Sequence, residues 1–218
     1  MIRLENLTKV YRLGGQTKVV ADNVTAEFPT GSTVAILGRN GAGKSSLLRM
    51  IAGSMSPDSG RVVSDGSISW PVGFAGSFHP DMTGAQNTRF IARVYGVDTD
   101  ELCAYVETFA ELGGHFHLPV RSYSSGMRAR LAFGVSMGIR FDTYLIDEIT
   151  AVGDAGFRRK SEALFRDRMD DCSAIMVTHA LGQVERLCDY VTVLNEGRLV
   201  WFEDVAEGIR FHQELMRD

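Results

Sequence analysis

The chain opens with a two-residue alternation of apolar and polar positions. Ile2 and Leu4, and later Val24, Ala26 and Phe28, alternate with polar neighbours, the period of a half-buried strand. Gly14-Gly15 and Pro29-Thr30-Gly31 punctuate this region as turns. Thr33 to Leu37 is a continuous apolar run that reads as a buried strand, and Ser46 to Ala52 reads as a helix. Gly60 to Trp70 predicts a hairpin turning at Asp65-Gly66.

The pattern then changes. Thr83 to Tyr95, Asp100 to Leu112 and Ser124 to Ile139 are helix-like, with Asp98, Thr99 and Ser124 as N-caps. Beyond them strands and helices alternate: strand Tyr144 to Ile146, helix Asp154 to Met169, strand Ser173 to Val177, helix Ala180 to Cys188. Tyr190 to Leu194 and Leu199 to Phe202 pair across Asn195-Glu196-Gly197-Arg198, and a last helix starts near Asp204. Such alternation predicts an α/β fold with a mostly parallel sheet, an N-terminal strand-rich part and an inserted helical lobe. The expected organisation is one domain over residues 1–218, with the lobe at about 77–139.

Composition narrows this little. In 218 residues, 44% hydrophobic and 23% charged content is ordinary for a globular protein. The net charge of -4 lacks the basic excess of a nucleic-acid binder. Cys103, Cys172 and Cys188 are odd in number and widely spaced, so reduced thiols of a cytoplasmic protein are expected rather than disulfides or a zinc site. His115 and His117 have no convincing metal spacing and are expected at the surface or in the core. The start carries no signal pattern, and no stretch approaches the ~18 apolar residues of a membrane span.

The chemistry starts at Gly38-Arg39-Asn40-Gly41-Ala42-Gly43-Lys44-Ser45, which matches G-x-x-x-x-G-K-[ST] between a strand and a helix. The small residues let backbone N–H groups wrap the phosphates, Lys44 supplies charge to the β- and γ-phosphates, and the Ser45 hydroxyl can ligate Mg²⁺. Ser46 follows at the helix start. Tyr144-Leu145-Ile146-Asp147-Glu148 is an apolar strand ending in two carboxylates. Asp147 suits Mg²⁺ through water, and Glu148 suits a general base polarising the attacking water. His179 follows the next strand, on the same expected sheet edge, within reach of a γ-phosphate. Tyr123-Ser124-Ser125-Gly126-Met127-Arg128-Ala129-Arg130 is a capped helix start with small residues, which suits a phosphate.

Taken together, these motifs resemble an ABC-transporter nucleotide-binding domain over essentially the whole chain. The Ser124 segment resembles the signature LSGGQ-x-Q-R, with Tyr for Leu, Ser125 for the first Gly and Met127 for Gln. The resemblance implies ATP and Mg²⁺ as cofactors, Tyr11 stacked on adenine, and Asp154 as the D-loop aspartate. It also implies a homodimer in which Ser124, Ser125 and Gly126 of one chain close on the ATP of the other. The wording Asp-Glu-Ile-Thr-Ala-Val-Gly-Asp and Gly73-Phe74-Ala75-Gly76-Ser77-Phe78-His79-Pro80 is similar to the branch exporting bacterial surface polysaccharides. The chain's end at Asp218, without an added carbohydrate-binding domain, resembles the capsular type.

That branch implies a peripheral location on the cytoplasmic face of the inner membrane. It implies an integral-membrane permease, expected in two copies, and periplasmic and outer-membrane export partners, with no nucleic acid. The family's Q-loop glutamine has no counterpart near Trp70. Gln86 falls later, on a helix, and His79 is expected to be exposed or packed rather than to replace the glutamine. Two alternatives stay open: a soluble ABC ATPase remodelling ribosomes or DNA, and a P-loop kinase. The first lacks its usual second nucleotide domain or charged insertion here, and the second leaves the signature unexplained.

Overall fold

The computed structural model describes residues 1–72, 78–147, 155–169 and 171–217. The chain divides into two compact units. One comprises Met1–Pro71, Phe141–Glu148 and Met169–Asp218, the other Val72–Arg140 and Ile149–Arg168. The second unit thus takes in a segment C-terminal to the lobe expected from sequence.

The first unit holds two sheets. Strands β1 (Ile2–Leu13), β2 (Gln16–Phe28) and β4 (Ser59–Ser64) form an antiparallel sheet in the order β2-β1-β4. The second sheet contains β3 (Thr33–Leu37), β5 (Ile68–Val72), β6 (Thr143–Asp147), β7 (Ser173–Val177), β8 (Tyr190–Asn195) and β9 (Arg198–Phe202). Its order is β5-β6-β7-β3-β8-β9. β3 lies between β7 and β8 and runs parallel to both, and β6 is parallel to β7. Every residue of β3 and β7 is buried, which is why these strands read as unbroken apolar runs. Helix α1 (Lys44–Ile51) contributes Leu47, Leu48 and Ile51 to a core that also contains Leu4, Val34, Ile36 and Ile175.

The predicted hairpin at Gly60–Trp70 does not form. β4 joins the first sheet and β5 the second, so Asp65-Gly66 turns the chain from one sheet to the other. Long-range contacts override the local turn signal. The Ser67 amide and hydroxyl both donate to Asp142 Oδ2 at 2.7 Å, and the Thr143 amide donates to the Ser67 carbonyl at 3.1 Å. Trp70 meets Phe141 edge-on, with ring centroids 5.5 Å apart. Elsewhere the local signals hold: β8 and β9 pair antiparallel through Asn195↔Arg198, across Glu196-Gly197.

The second unit is built from α2 (Gly84–Tyr95), α3 (Thr99–Ala110), α4 (Ser125–Gly138) and α5 (Ala155–Met169), the last residue of which falls in the first unit. Thr83 and Gln86 close a reciprocal capping box on α2, Asp98 caps α3 and Ser124 caps α4. Gln86 is therefore a helix-capping side chain. Phe109 stacks with Phe133 and meets Phe157 edge-on in this unit's core. A Cβ on Gly138 would stand 2.5 Å from Leu102 Cδ1, so glycine there lets α3 and α4 approach closely. The chain ends with α6 (Leu181–Leu187) and α7 (Val205–Leu215), both in the first unit.

Candidate functional site

Parallel pairing brings the C-terminal ends of β3, β6 and β7 to one level. Asp147 is in register with Val177, and Ile36 is paired with the same residue. There an open cavity of about 540 Å³ gathers Tyr11, Lys44, Ser45, Asp147 and His179. Asn40, Gly41, Gly43 and Ser46 border it as well.

The loop from Gly38 to Gly43 is held by its own lysine. Lys44 is buried, and its Nζ donates to the carbonyls of Gly38 at 2.7 Å and Arg39 at 3.0 Å. The Ala42 amide closes a turn onto the Arg39 carbonyl at 3.0 Å. Gly43 caps α1 with φ 110°, a conformation L side chains rarely adopt, and a Cβ there would lie 2.3 Å from Val20 Cγ1. No side chain caps α1. This leaves its dipole and N–H groups directed at the cavity, the arrangement that binds phosphate.

Tyr11 stands at the cavity rim. Its hydroxyl donates to Met55 Sδ at 3.1 Å and lies 3.4 Å from Ser46 Oγ. The strand beneath it is fixed by Asp58, which accepts from Lys9 Nζ at 2.9 Å and from the Val10 amide at 2.7 Å. These two bonds, the Lys9 one foremost, hold the Asp58 carboxyl below the usual carboxylate range.

The signature segment belongs to the second unit. Ser124 Oγ accepts from the Met127 amide at 3.2 Å, and the Tyr123 hydroxyl donates to the His115 carbonyl at 2.6 Å. A smaller cavity, about 330 Å³, is bordered by Ser124, Gly126, Met127, Arg130, Glu111 and His115. Ser125, the first residue of α4, is exposed.

The sequence matches the ABC transporter family model over residues 21–151. The chain belongs to the ABC transporter family. It is 46% identical over 221 residues to the polysialic acid transport ATP-binding protein KpsT of Escherichia coli, covering 99% of both chains. It is 42% identical to the ATP-binding protein BexA of Haemophilus influenzae, covering 100% of both. Among solved structures it is similar to the ATP-binding cassette MJ0796 in a dimeric post-hydrolysis state bound to ADP and Pi. There the TM-score is 0.78 at 23% identity, over 93% of this chain and 98% of that one. That likeness speaks for the fold, an ABC cassette with an antiparallel β part and a mostly parallel sheet.

Within this family frame, the first unit brings Tyr11, the phosphate loop, Ser45, Asp147 and His179 to one cavity. Gly38 and Ala42 are not among the residues that border it; a Cβ on Gly38 would collide with the Leu194 carbonyl. Glu148 and Asp154 lie outside the described residues, as does Gly73 to Ser77. His79 is exposed, and its Nδ1 accepts from the Asp81 amide at 3.3 Å, a local turn contact. His117 pairs with Glu107 at 3.1 Å. The three cysteines are free, and burial pushes the Cys188 thiol up to about 12, which makes it inert.

Sequence reasoning missed Lys18 and Val20 in the larger cavity and His115 at the smaller one. It also missed His212 on α7, a buried imidazole whose Nδ1 has no hydrogen-bond partner among the described residues. Burial first, then the positive charges of Lys44 and His179, hold its pKa below the ordinary value. No signal in an α7 of ordinary amphipathic pattern marks that position. The C-terminal end of α7 also reaches the loop: Arg39 Nη1 donates to the Leu215 carbonyl at 3.4 Å.

Proposed function

We propose that this chain is the ATP-hydrolysing subunit of an exporter of bacterial surface polysaccharide, of the capsular type. The observation that carries the proposal is the single cavity where an aromatic rim residue, a phosphate loop, a hydroxyl, a carboxylate and an imidazole converge. Similarity over 99% of both chains to the polysialic acid transport ATP-binding protein KpsT supports the direction of the export reading. It favours transport over ribosome or DNA remodelling.

The chemistry follows from the residues. ATP would take over the Lys44 ammonium from the Gly38 and Arg39 carbonyls, exchanging neutral acceptors for phosphate oxygens and making charge-assisted bonds. Tyr11 would hold the adenine ring against its face. The donor set fits Mg²⁺: Ser45 and Asp147 present a hydroxyl and a carboxylate, both hard oxygens, to one cavity. Among the described residues no three His, Cys, Asp or Glu side chains form a metal-holding group, so phosphate oxygens and water would complete such an ion's shell. When bound, the ion would neutralise charge on the β- and γ-phosphates. Glu148, next along the chain from Asp147, would accept a proton from the attacking water. His179 would donate to the γ-phosphate, and Asp154 would line the dimer contact.

Hydrolysis would need two copies, each offering Ser124, Ser125 and Gly126 to the nucleotide of the other. A permease, in two copies, would supply the membrane path, since no helix among the described residues is long and apolar enough to cross a membrane. Phe90, Val94 and Tyr95 of α2, 58%, 61% and 44% exposed, are the face we assign to it. The working location is then the cytoplasmic face of the inner membrane, with periplasmic and outer-membrane partners beyond. In the source bacterium, deleting the gene should leave polymer inside the cell and none on the surface. Wild type should restore export and Lys44→Ala should not. Normal surface polysaccharide in the deletion strain would contradict the proposal.

A further inference from the structure

Lys18 lies directly opposite Tyr11 in the β1–β2 register, so both side chains project from the same face of the sheet. Both border the cavity that holds the phosphate loop. The Lys18 ammonium reaches across to that loop: its Nζ stands 3.3 Å from the point a Cβ on Gly41 would occupy. It makes no ion pair or hydrogen bond with any described residue, whereas the Lys44 ammonium is already bound to two carbonyls. The cavity thus has two cations with different duties. One is built into the loop, and the other is presented from the strand beside the aromatic rim.

We infer that Lys18 is a second phosphate-binding cation, contacting the part of the phosphate chain that ATP and ADP share. The inference rests on the assignment of this cavity to ATP. A nucleotide with its base at Tyr11 and its terminal phosphate at Lys44 must pass its first phosphates through this cavity, which Lys18 borders beside Gly41 of the loop. The ammonium has no carboxylate to leave, so pairing with phosphate costs only its hydration and side-chain freedom. Gly41 itself is held at φ 78°, a conformation that L side chains rarely adopt.

The test uses the full chain carrying Lys18→Met or Lys18→Arg, with a fluorescent ATP analogue displaced by ATP, ADP or adenosine. Thermal melting without nucleotide checks that each variant is folded. Lys18→Met should weaken ATP and ADP by the same factor, about three- to tenfold, and leave adenosine unchanged. Lys18→Arg should bind within about twofold of wild type, because it keeps the charge. The Lys18→Met defect should shrink as salt is raised, since the lost contact is ionic and exposed. Unchanged ATP and ADP affinity would overturn the inference. So would loss for ATP alone, which would move the contact to the terminal phosphate. An equal loss for adenosine would also overturn it, by showing that Lys18 acts through Tyr11. Failure of the wild-type chain to bind ATP at all would instead overturn the assignment of the cavity.

Discussion

Two helix starts, those of α1 and α4, border cavities and are finished differently. α1 begins after Gly43, which offers no side chain to its first N–H groups and sits in a backbone conformation reserved for glycine. α4 begins after Ser124, whose hydroxyl already accepts from Met127. The first end is left open beside a cavity with a buried lysine, which Ser45, Asp147 and His179 of the same unit also border. The second is self-capped, bordered by Glu111, His115 and Arg130, and shows an exposed serine at its first turn. The difference teaches that an uncapped helix start in a cavity keeps its N–H groups for a ligand, while a self-capped one has already used part of its donor capacity; that fits the proposal that the Ser124 segment meets a nucleotide held by another copy.

The comparison breaks most severely at the chemical step. Glu148→Gln should keep ATP binding and lower turnover by ~10²–10⁴-fold in the assembled transporter, the usual worth of general-base assistance. Phosphate release within a few-fold of wild type would remove Glu148 from that role. Next comes Gly43→Ala, which adds a methyl group into Val20 and forces a residue to φ 110°. Overpacking and backbone strain together should cost about 2–4 kcal/mol, read as a lowered midpoint in chemical denaturation, with ATP affinity falling too. Ser124→Ala in the self-capped helix should cost only about 1 kcal/mol and leave ATP affinity of the isolated chain unchanged.

Smaller effects sharpen the picture of the cavity. Tyr11→Ala should weaken ATP binding several-fold, about 1 kcal/mol of aromatic contact, and leave saturated turnover nearly intact. A collapse of saturated turnover at unchanged affinity would contradict the stacking role. The smallest effect is a pH slope. His212 is held below its ordinary value of 6.5 in the folded chain, so the unfolded chain binds more protons as pH drops below that value. Its contribution to stability is present above about pH 6.5 and is lost as pH falls through the lower folded value. Denaturation of His212→Gln across that window should show a flatter stability–pH curve than wild type. An identical slope would show that other groups carry it.

Much of this was legible in the sequence because the signals are local. The phosphate loop needs small residues between a buried strand and a helix, and Thr33 to Ile51 states all three. Ser124 was legible as a cap because short hydroxyl side chains satisfy helix N–H groups. Even Lys18 was within reach: a two-residue turn at Gly14-Gly15 fixes Tyr11 opposite Lys18. The β4–β5 connection was not legible, since Asp142 and Phe141, far along the chain, decide where Ser67 and Trp70 go. His212 was hidden for the same reason, because its environment comes from residues such as Lys44 and His179, distant in sequence.

The central claim is that each working site joins the phosphate loop of one copy to the signature of another. A defined mixed dimer tests it most directly, pairing a Lys44→Ala chain with a Gly126→Asp chain in the assembled transporter. Each variant alone should be inactive, because both of its sites are damaged. In the mixed dimer one site carries both lesions and the other carries neither. A dimer of one wild-type and one doubly substituted chain, which has one lesion in each site, provides the reference and should stay inactive. The account predicts measurable ATP hydrolysis from the mixed dimer. Activity in the reference dimer with none in the mixed dimer would contradict it, by placing the loop and signature of each site on one chain.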